Sequence, residues 1–284
     1  MAGIQLCDQK IIFMQYFHKI LPDNKKLFYT WFSAMFTRVD LMIYADATRE
    51  DLEVIANKIE IEIARIELFA NRFDETSELS NINKNAYENE IYVSEEFFKI
   101  IADCQIYNSL TLRYFDITIN SFNHYAEGAK SIQLDKQKQT IKFHHPDVQL
   151  DLSGFIKGYA LQSVREMLKV ESIDNALINM GNSSILALGN HPNGVGWKIS
   201  SSEIKTANEC VLINQCLTTS GNNEQTKWPI MCPQTGEIIT KPKPVSVITT
   251  DCSIGEILST VLYIAGNNEK EIIFKQFDAI EIQW

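Results

Sequence analysis

The sequence predicts an α+β protein in which mixed sheets are flanked by helices. Three observations carry that reading. Residues 148–178 run as a strand pattern, a tight Ser-Gly turn, a helix pattern and a second strand pattern. Leu52, Ile55, Ile59, Ile63 and Ile66 recur at spacings of three and four, which makes one apolar helical stripe. Short apolar or alternating runs bounded by turn residues fill much of 184–249. A length of 284 residues allows one large domain or two small ones, and no repeat or low-complexity linker divides it. Residues 1–30 therefore read as an N-terminal segment packed on the surface, and 31–284 as a single domain.

Taken in order, Phe32 to Ala45 reads as a strand, with Val39, Leu41 and Ile43 alternating with Asp40, Met42 and Tyr44. Thr48 and Asp51 open a helix that ends near Asn71. Arg72 to Asn83 is polar, and Ser77 and Ser80 suit helix capping. Ser94 opens a helix over 95–108, with acids in the first turn where the dipole favours them. Asp116 lies between large apolar residues and needs a partner; a hydrogen-bonded turn residue and a ligand-binding acid both satisfy this. Strands follow over 132–134, 140–143 and 148–152, with His144 and His145 as exposed turn residues rather than a metal clip.

The stretch from Asp151 to Ala160 organises the rest. Gly154 and Gly158 stand where backbone must pass close to something. A turn that opens a helix presents free N–H groups, which suit an anion such as a phosphate, and Lys157 adds charge in the first turn. Asp151 is placed to orient a polar ligand group or a metal-bound water. An ordinary strand–helix crossover with structural glycines meets the same spacing. After a strand over 176–178 that breaks at Gly181, strands read at 184–188, 197–201, 211–219 and 245–249, then a helix over 256–265 and a final strand from 279. Glu256 and Thr260 are four apart and share a helix face. A carboxylate and a hydroxyl so placed suit Mg²⁺, and equally suit a surface acid beside a helix hydroxyl.

Charge and cysteines set outer bounds. A net charge of -10 argues against nucleic acid, whose phosphates it would repel. No apolar run approaches the roughly 20 residues that cross a bilayer. The run Ile11-Ile-Phe-Met14 is too short for a signal-peptide core, so the chain as given reads as cytoplasmic, or as periplasmic or membrane-anchored if a leader precedes it. Cys7, Cys104, Cys210, Cys216, Cys232 and Cys252 form no CxxC pair and sit beside apolar segments, which predicts buried free thiols.

Several ordered motifs over roughly 32–284 together resemble the FAD:protein FMN transferase family, the ApbE type formerly called thiamine-biosynthesis lipoproteins. Phe32-Ser-Ala-Met-Phe-Thr37 is similar to that family's F-x-A-M-G-T, and Ser77-Glu-Leu-Ser-Asn-Ile-Asn83 to S-E-[IL]-S-x-[LFI]-N. Phe115-Asp-Ile-Thr118 is similar to F-D-[PI]-T, and Asp151-Leu-Ser-Gly-Phe-Ile-Lys-Gly-Tyr-Ala160 to D-L-[SG]-G-I-A-K-G-Y-A. Asn179-Met-Gly181, Thr219-Ser-Gly221, Pro233-Gln-Thr-Gly236 and Leu258-Ser-Thr260 complete the series.

The resemblance implies an ApbE-like, T-fold-related domain that takes FAD as substrate with Mg²⁺. It implies cleavage of the pyrophosphate and transfer of FMN to a Thr or Ser of a partner flavoprotein, or hydrolysis of FAD. Met35, Phe73, Tyr114, Phe115, Asp116 and Ile230 match stretches that contact FAD. Asp151 and Lys157 match polar positions facing the nucleotide. Gly154 (by its carbonyl), Glu256 and Thr260 match the metal site. The resemblance leaves the catalytic residues unknown. Phe36 replaces a glycine, where the family leaves room for flavin. The family's H-I-I-D-P reads Pro229-Ile-Met-Cys-Pro233, so Pro229 and Cys232 replace a histidine and an aspartate. Asn182 replaces a glycine, Glu256 a metal-binding aspartate and Ser253 a further acid. Losing the histidine removes a proton-transfer group, an effect of about 10²–10⁴-fold, so weakened activity is expected. The alternative is a non-catalytic flavin- or protein-binding module on the same fold; a thiol activity at Cys232 is a third reading.

Overall fold

The computed structural model describes residues 15–121, 127–200, 209–221, 229–241 and 243–282. Ile11 to Met14, Cys7, Trp228 and Trp284 lie outside the described residues. The chain builds β1 (Phe17–Ile20), β2 (Lys26–Ala34) and β3 (Thr37–Ala45), then α1 (Arg49–Ala70), α2 (Glu78–Asn85), β4 (Ile91–Tyr92) and α3 (Glu95–Leu110). A hairpin of β5 (Ile132–Asp135) and β6 (Thr140–Phe143) leads to α4 (Ile156–Val170), β7 (Ala176–Met180) and β8 (Ser184–Leu188). There follow β9 (Trp197–Ser200), β10 (Glu209–Leu212), β11 (Gln215–Ser220), β12 (Val245–Thr249), α5 (Cys252–Ile264), α6 (Asn267–Phe274) and β13 (Ala279–Ile282). The α+β expectation holds.

Eight strands form one antiparallel sheet in the order β1-β2-β3-β7-β8-β11-β12-β13. α1, α4 and α5 pack together on one face of it. The α1 stripe is fully buried there at Leu52, Ile59, Ile63 and Ile66, and each such side chain contributes about 1.5–3 kcal/mol. The helix starts where expected: Thr48 accepts from Asp51 N at 3.1 Å, and Asp51 accepts from Thr48 N at 3.3 Å. The other face is covered by the β9–β10 hairpin, where Trp197 packs with Leu177, Ile185, Leu217 and Ile248. Its indole N–H donates to Leu188 O at 2.7 Å, so the buried ring leaves no polar atom unpaired. A smaller sheet, β4-β6-β5, stands apart from the main one.

Four local readings need correction. The strand over 32–45 is two strands: Met35 and Phe36 both take positive φ, 49° and 58°, and turn the chain back on itself. Such a turn normally asks for Asn-Gly, so Met-Phe hides it. The strand over 148–152 joins no sheet. Its residues run extended and bury Val148, Leu150 and Leu152, but their backbone is satisfied elsewhere. Leu150 N donates to Asn83 Oδ1, Gln149 N to Ser121 Oγ and Asp151 N to Ile117 O. The strand over 211–219 is likewise two, β10 and β11, parted where Asn214 takes a φ of 54°. Finally, Cys216 and Cys252 are not free thiols but form a disulfide that ties β11 to the first residue of α5. The pairing joins residues 36 apart in sequence, which no spacing rule picks out. Cys104, Cys210 and Cys232 are free.

Candidate functional site

The site is built where hairpin tips, the start of α4 and one face of α5 meet. Two tips touch first. Gly181 N, at the β7–β8 turn, donates to Arg38 O at 2.9 Å in β3. Gly181 has a φ of +62°, and a Cβ there would lie 2.1 Å from Thr37 Oγ1. Both conformation and space therefore demand glycine. Asn182 follows at φ 59°, tolerable for Asn, and its amide N–H donates to Asn179 Oδ1 at 2.9 Å.

From that tip a line of polar side chains runs inward. Lys157, in the first turn of α4, donates from Nζ to Ser183 Oγ at 2.6 Å. Ser183 Oγ lies 3.4 Å from Ser184 Oγ, and Ser184 donates to Glu256 Oε1. Glu256 is buried, with 5% exposure. One turn along α5, Thr260 Oγ1 lies 3.1 Å from Ser220 Oγ at the end of β11, and Ser220 Oγ is 2.8 Å from Ser259 Oγ. So Lys157 and Glu256, distant in sequence, meet through Ser183 and Ser184, while Thr260, on the same helix as Glu256, joins Ser220 and Ser259. Among the described residues no three His, Cys, Asp or Glu side chains come together as a metal cage.

The two organising glycines differ in cause. A Cβ on Gly158 would fall 2.3 Å from Cys252 O and 2.7 Å from Glu256 Cγ, so this glycine lets α4 and α5 cross closely and seats Glu256. Gly154 has no positive φ, and its Cβ would meet nothing nearer than a Phe115 ring carbon at 3.9 Å. No protein atom requires glycine at 154.

A second line runs along the rim. Asp151 is buried beside the α4 turn; it accepts from Ser153 N at 2.8 Å and from Asn120 Nδ2, and pairs with Arg72 Nη1 at 3.3 Å. Arg72 lies over the Phe73 ring at 4.7 Å, and Phe73 meets Phe36 edge to face with centroids 6.4 Å apart. Met35 is half-buried, its N–H donating to Glu67 Oε2 at 2.7 Å. Phe36, expected where flavin needs room, stands 84% exposed instead.

The 114–116 segment is held from several sides. Phe115 is buried, and its carbonyl accepts from Asn108 Nδ2 at 2.6 Å. Asp116 is a turn residue: it accepts from Thr118 N at 2.8 Å and Thr118 Oγ1 at 2.6 Å. Burial raises the pKa of the Tyr114 phenol. Leu112 O accepts from Gln234 Nε2 at 3.0 Å, which draws the 229–241 segment close. In that segment Ile230 is half-buried against the core, with its carbonyl bonded to Ile239 N at 3.0 Å. Cys232 is buried in a turn closed by its backbone carbonyl, which accepts from Gly236 N at 2.8 Å, and burial makes this a poor place for a reactive thiol. Sequence reasoning missed Ser183, Ser184, Ser220, Arg72 and Asn120. Ser220 lies inside the Thr219–Gly221 motif and Ser183 and Ser184 just beyond Asn179–Gly181, but only the fold says which hydroxyl faces Glu256.

An eight-stranded antiparallel sheet with helices packed on one face is a fold shared with solved structures. The flavin transferase ApbE from Vibrio cholerae superposes with a TM-score of 0.78 at 18% identity, over 94% of this chain and 93% of that one. The apbe protein from Thermotoga maritima gives 0.75 at 20% identity, over 94% of both. The chain belongs to the ApbE family, whose sequence model matches residues 35–283. Curated relatives include FAD:protein FMN transferases of Chlamydia muridarum, 27% identical over 69% of this chain and 71% of that one, and of Klebsiella pneumoniae, 26% identical over 75% and 76%.

Proposed function

We propose that this protein is an FAD:protein FMN transferase with slowed chemistry. The observation that carries the reading is the polar line from Lys157 through Ser183 and Ser184 to Glu256, with Thr260 one turn further on. A carboxylate, hydroxyls and a main-chain carbonyl are all hard oxygen donors. That set fits Mg²⁺, which is typically held by one or two carboxylates together with substrate phosphates. Glu256, Thr260 and the Gly154 carbonyl are the residues that would hold it. The ion supplies charge neutralisation for a pyrophosphate and its leaving oxygen.

The chain's own residues do the rest. The Lys157 ammonium has three donors, of which Ser183 takes one, so it can hold a phosphate oxygen. No side chain caps α4, which leaves its N-terminal dipole to an anion. Gly154 lets that anion approach the backbone. In transfer, the hydroxyl oxygen of a Thr or Ser on the acceptor flavoprotein bonds to the FMN phosphorus, and the bond from that phosphorus to the AMP oxygen breaks. The hydroxyl proton goes to solvent, because Pro229 and Cys232 stand where a proton acceptor would help. Water in place of the hydroxyl gives FAD hydrolysis. Incubation with FAD and Mg²⁺ is expected to yield FMN and AMP, about 10²–10⁴-fold more slowly than a histidine-bearing relative. Absence of both products removes the enzyme reading. Pro229 and Cys232 favour the second reading, a flavin-binding module that retains FAD intact.

The disulfide supports an oxidising compartment for this activity, since such bonds persist outside the reducing cytosol. No described helix is long and apolar enough to cross a membrane.

A further inference from the structure

The β2–β3 tip carries a feature that folding does not explain. Met35 and Phe36 hold positive φ, a conformation of order 1–3 kcal/mol unfavourable for such side chains. Phe36 then exposes 84% of its surface. Glycine or asparagine would suit this turn better, so the ring contributes nothing to stability that the turn needs. Its one ring partner among the described residues is Phe73, itself 58% exposed and braced by Arg72, which in turn pairs with Asp151 at the α4 turn. The result is an exposed aromatic edge linked to the α4 turn.

This edge adjoins the phosphate end of the site by two routes. Through Arg72 and Asp151 it reaches the turn that carries Gly154. Through Thr37 it meets Gly181, and Ser183, the partner of Lys157, is two residues further on in the same tight turn. A ligand anchored by phosphates at Lys157 can therefore lay a flat ring against Phe36 and Phe73.

We propose that Phe36 is a flavin-positioning residue: with Phe73 it takes the isoalloxazine ring of FAD by stacking, while Lys157 and Glu256 hold the pyrophosphate end. The inference rests on the reading of the protein as an FAD-dependent transferase. Flavin is flat, aromatic and partly apolar, and ring contacts of this kind contribute beyond the area they bury. Phe36 stands where the resembled motif has glycine, so it sets how firmly this chain grips flavin as against the rest of the nucleotide.

Phe36→Gly separates positioning from structure. Glycine relieves the positive φ, so the variant's melting temperature is expected to hold or rise. Binding of FAD, followed in the full chain by titration and by flavin fluorescence, is expected to weaken about five- to ten-fold with loss of quenching. Binding of ADP, which has no flavin ring, stays unchanged, and Phe36→Trp restores FAD binding and quenching. Equal FAD affinity and quenching in wild type and Phe36→Gly overturn the proposal. So does a variant that keeps FAD affinity but loses transfer to the acceptor, which assigns the ring to protein docking. If the wild type itself binds no FAD, the transferase reading falls and this inference with it.

Discussion

Glu256→Gln is expected to lower Mg²⁺-dependent release of FMN from FAD by about 10²–10³-fold, the range for losing one stabiliser of a developing anion, here the ion that the carboxylate would hold. Glutamine keeps the size of the side chain and can still accept from Ser184 Oγ, so the packing of α5 against α4 at Gly158 is preserved. What disappears is the only carboxylate in the polar line. The melting temperature therefore stays near that of the wild type while activity collapses, and raising Mg²⁺ recovers part of the loss. Steady-state FMN release against Mg²⁺ concentration checks this. An unchanged rate and unchanged Mg²⁺ dependence would show that the carboxylate serves only the fold.

Cys252→Ser is expected to destabilise the protein by about 2–4 kcal/mol, because the disulfide closes a long loop between β11 and α5. For a domain of this size that is a fall of roughly 5–15 °C in melting temperature. A reducing agent should impose the same fall on the wild type and none on the variant. The link matters to the site because Cys252 begins the helix that carries Glu256 and Thr260. Gly255 still lets α5 lie close on β11 and β12, where a Cβ would come within 2.8 Å of Thr218 Oγ1 and 2.9 Å of Thr249 Oγ1. Activity at low temperature accordingly falls less than stability does. Calorimetry with and without reductant decides the point; coincident melting curves for all samples would mean that the bond does not form in solution.

Much of the fold was legible because its elements announce themselves locally. The isoleucine stripe of α1 and its Thr48–Asp51 box fixed that helix at both ends. The failures were places where a signal is not local. Met35-Phe36 forms a hairpin turn without turn residues. Residues 148–152 look like a strand, but their hydrogen bonds go to Asn83, Ser121 and Ile117. Cys216 and Cys252 meet only after β11 and α5 pack. The site divides the same way. Lys157, Glu256 and Thr260 could be picked from motif and helix spacing, but the serines that join them could not be told from the chain's many other hydroxyls. Asp116 had two readings on sequence grounds, and the structure gives it a turn to hold. Gly154 and Gly158 looked alike in sequence; one accommodates a helix crossing, the other leaves space that no protein atom fills.

On the function proposed above, the corner between the α4 turn and α5 holds a diphosphate through Lys157, Glu256 and a divalent ion. Calorimetric titration of the full chain with FAD, in Mg²⁺ and in a chelator, tests it most directly. The account predicts saturable binding in Mg²⁺ that weakens at least about ten-fold on chelation, as expected when a bridging cation is removed. Absence of binding in both conditions, or an affinity that chelation leaves untouched, would contradict it.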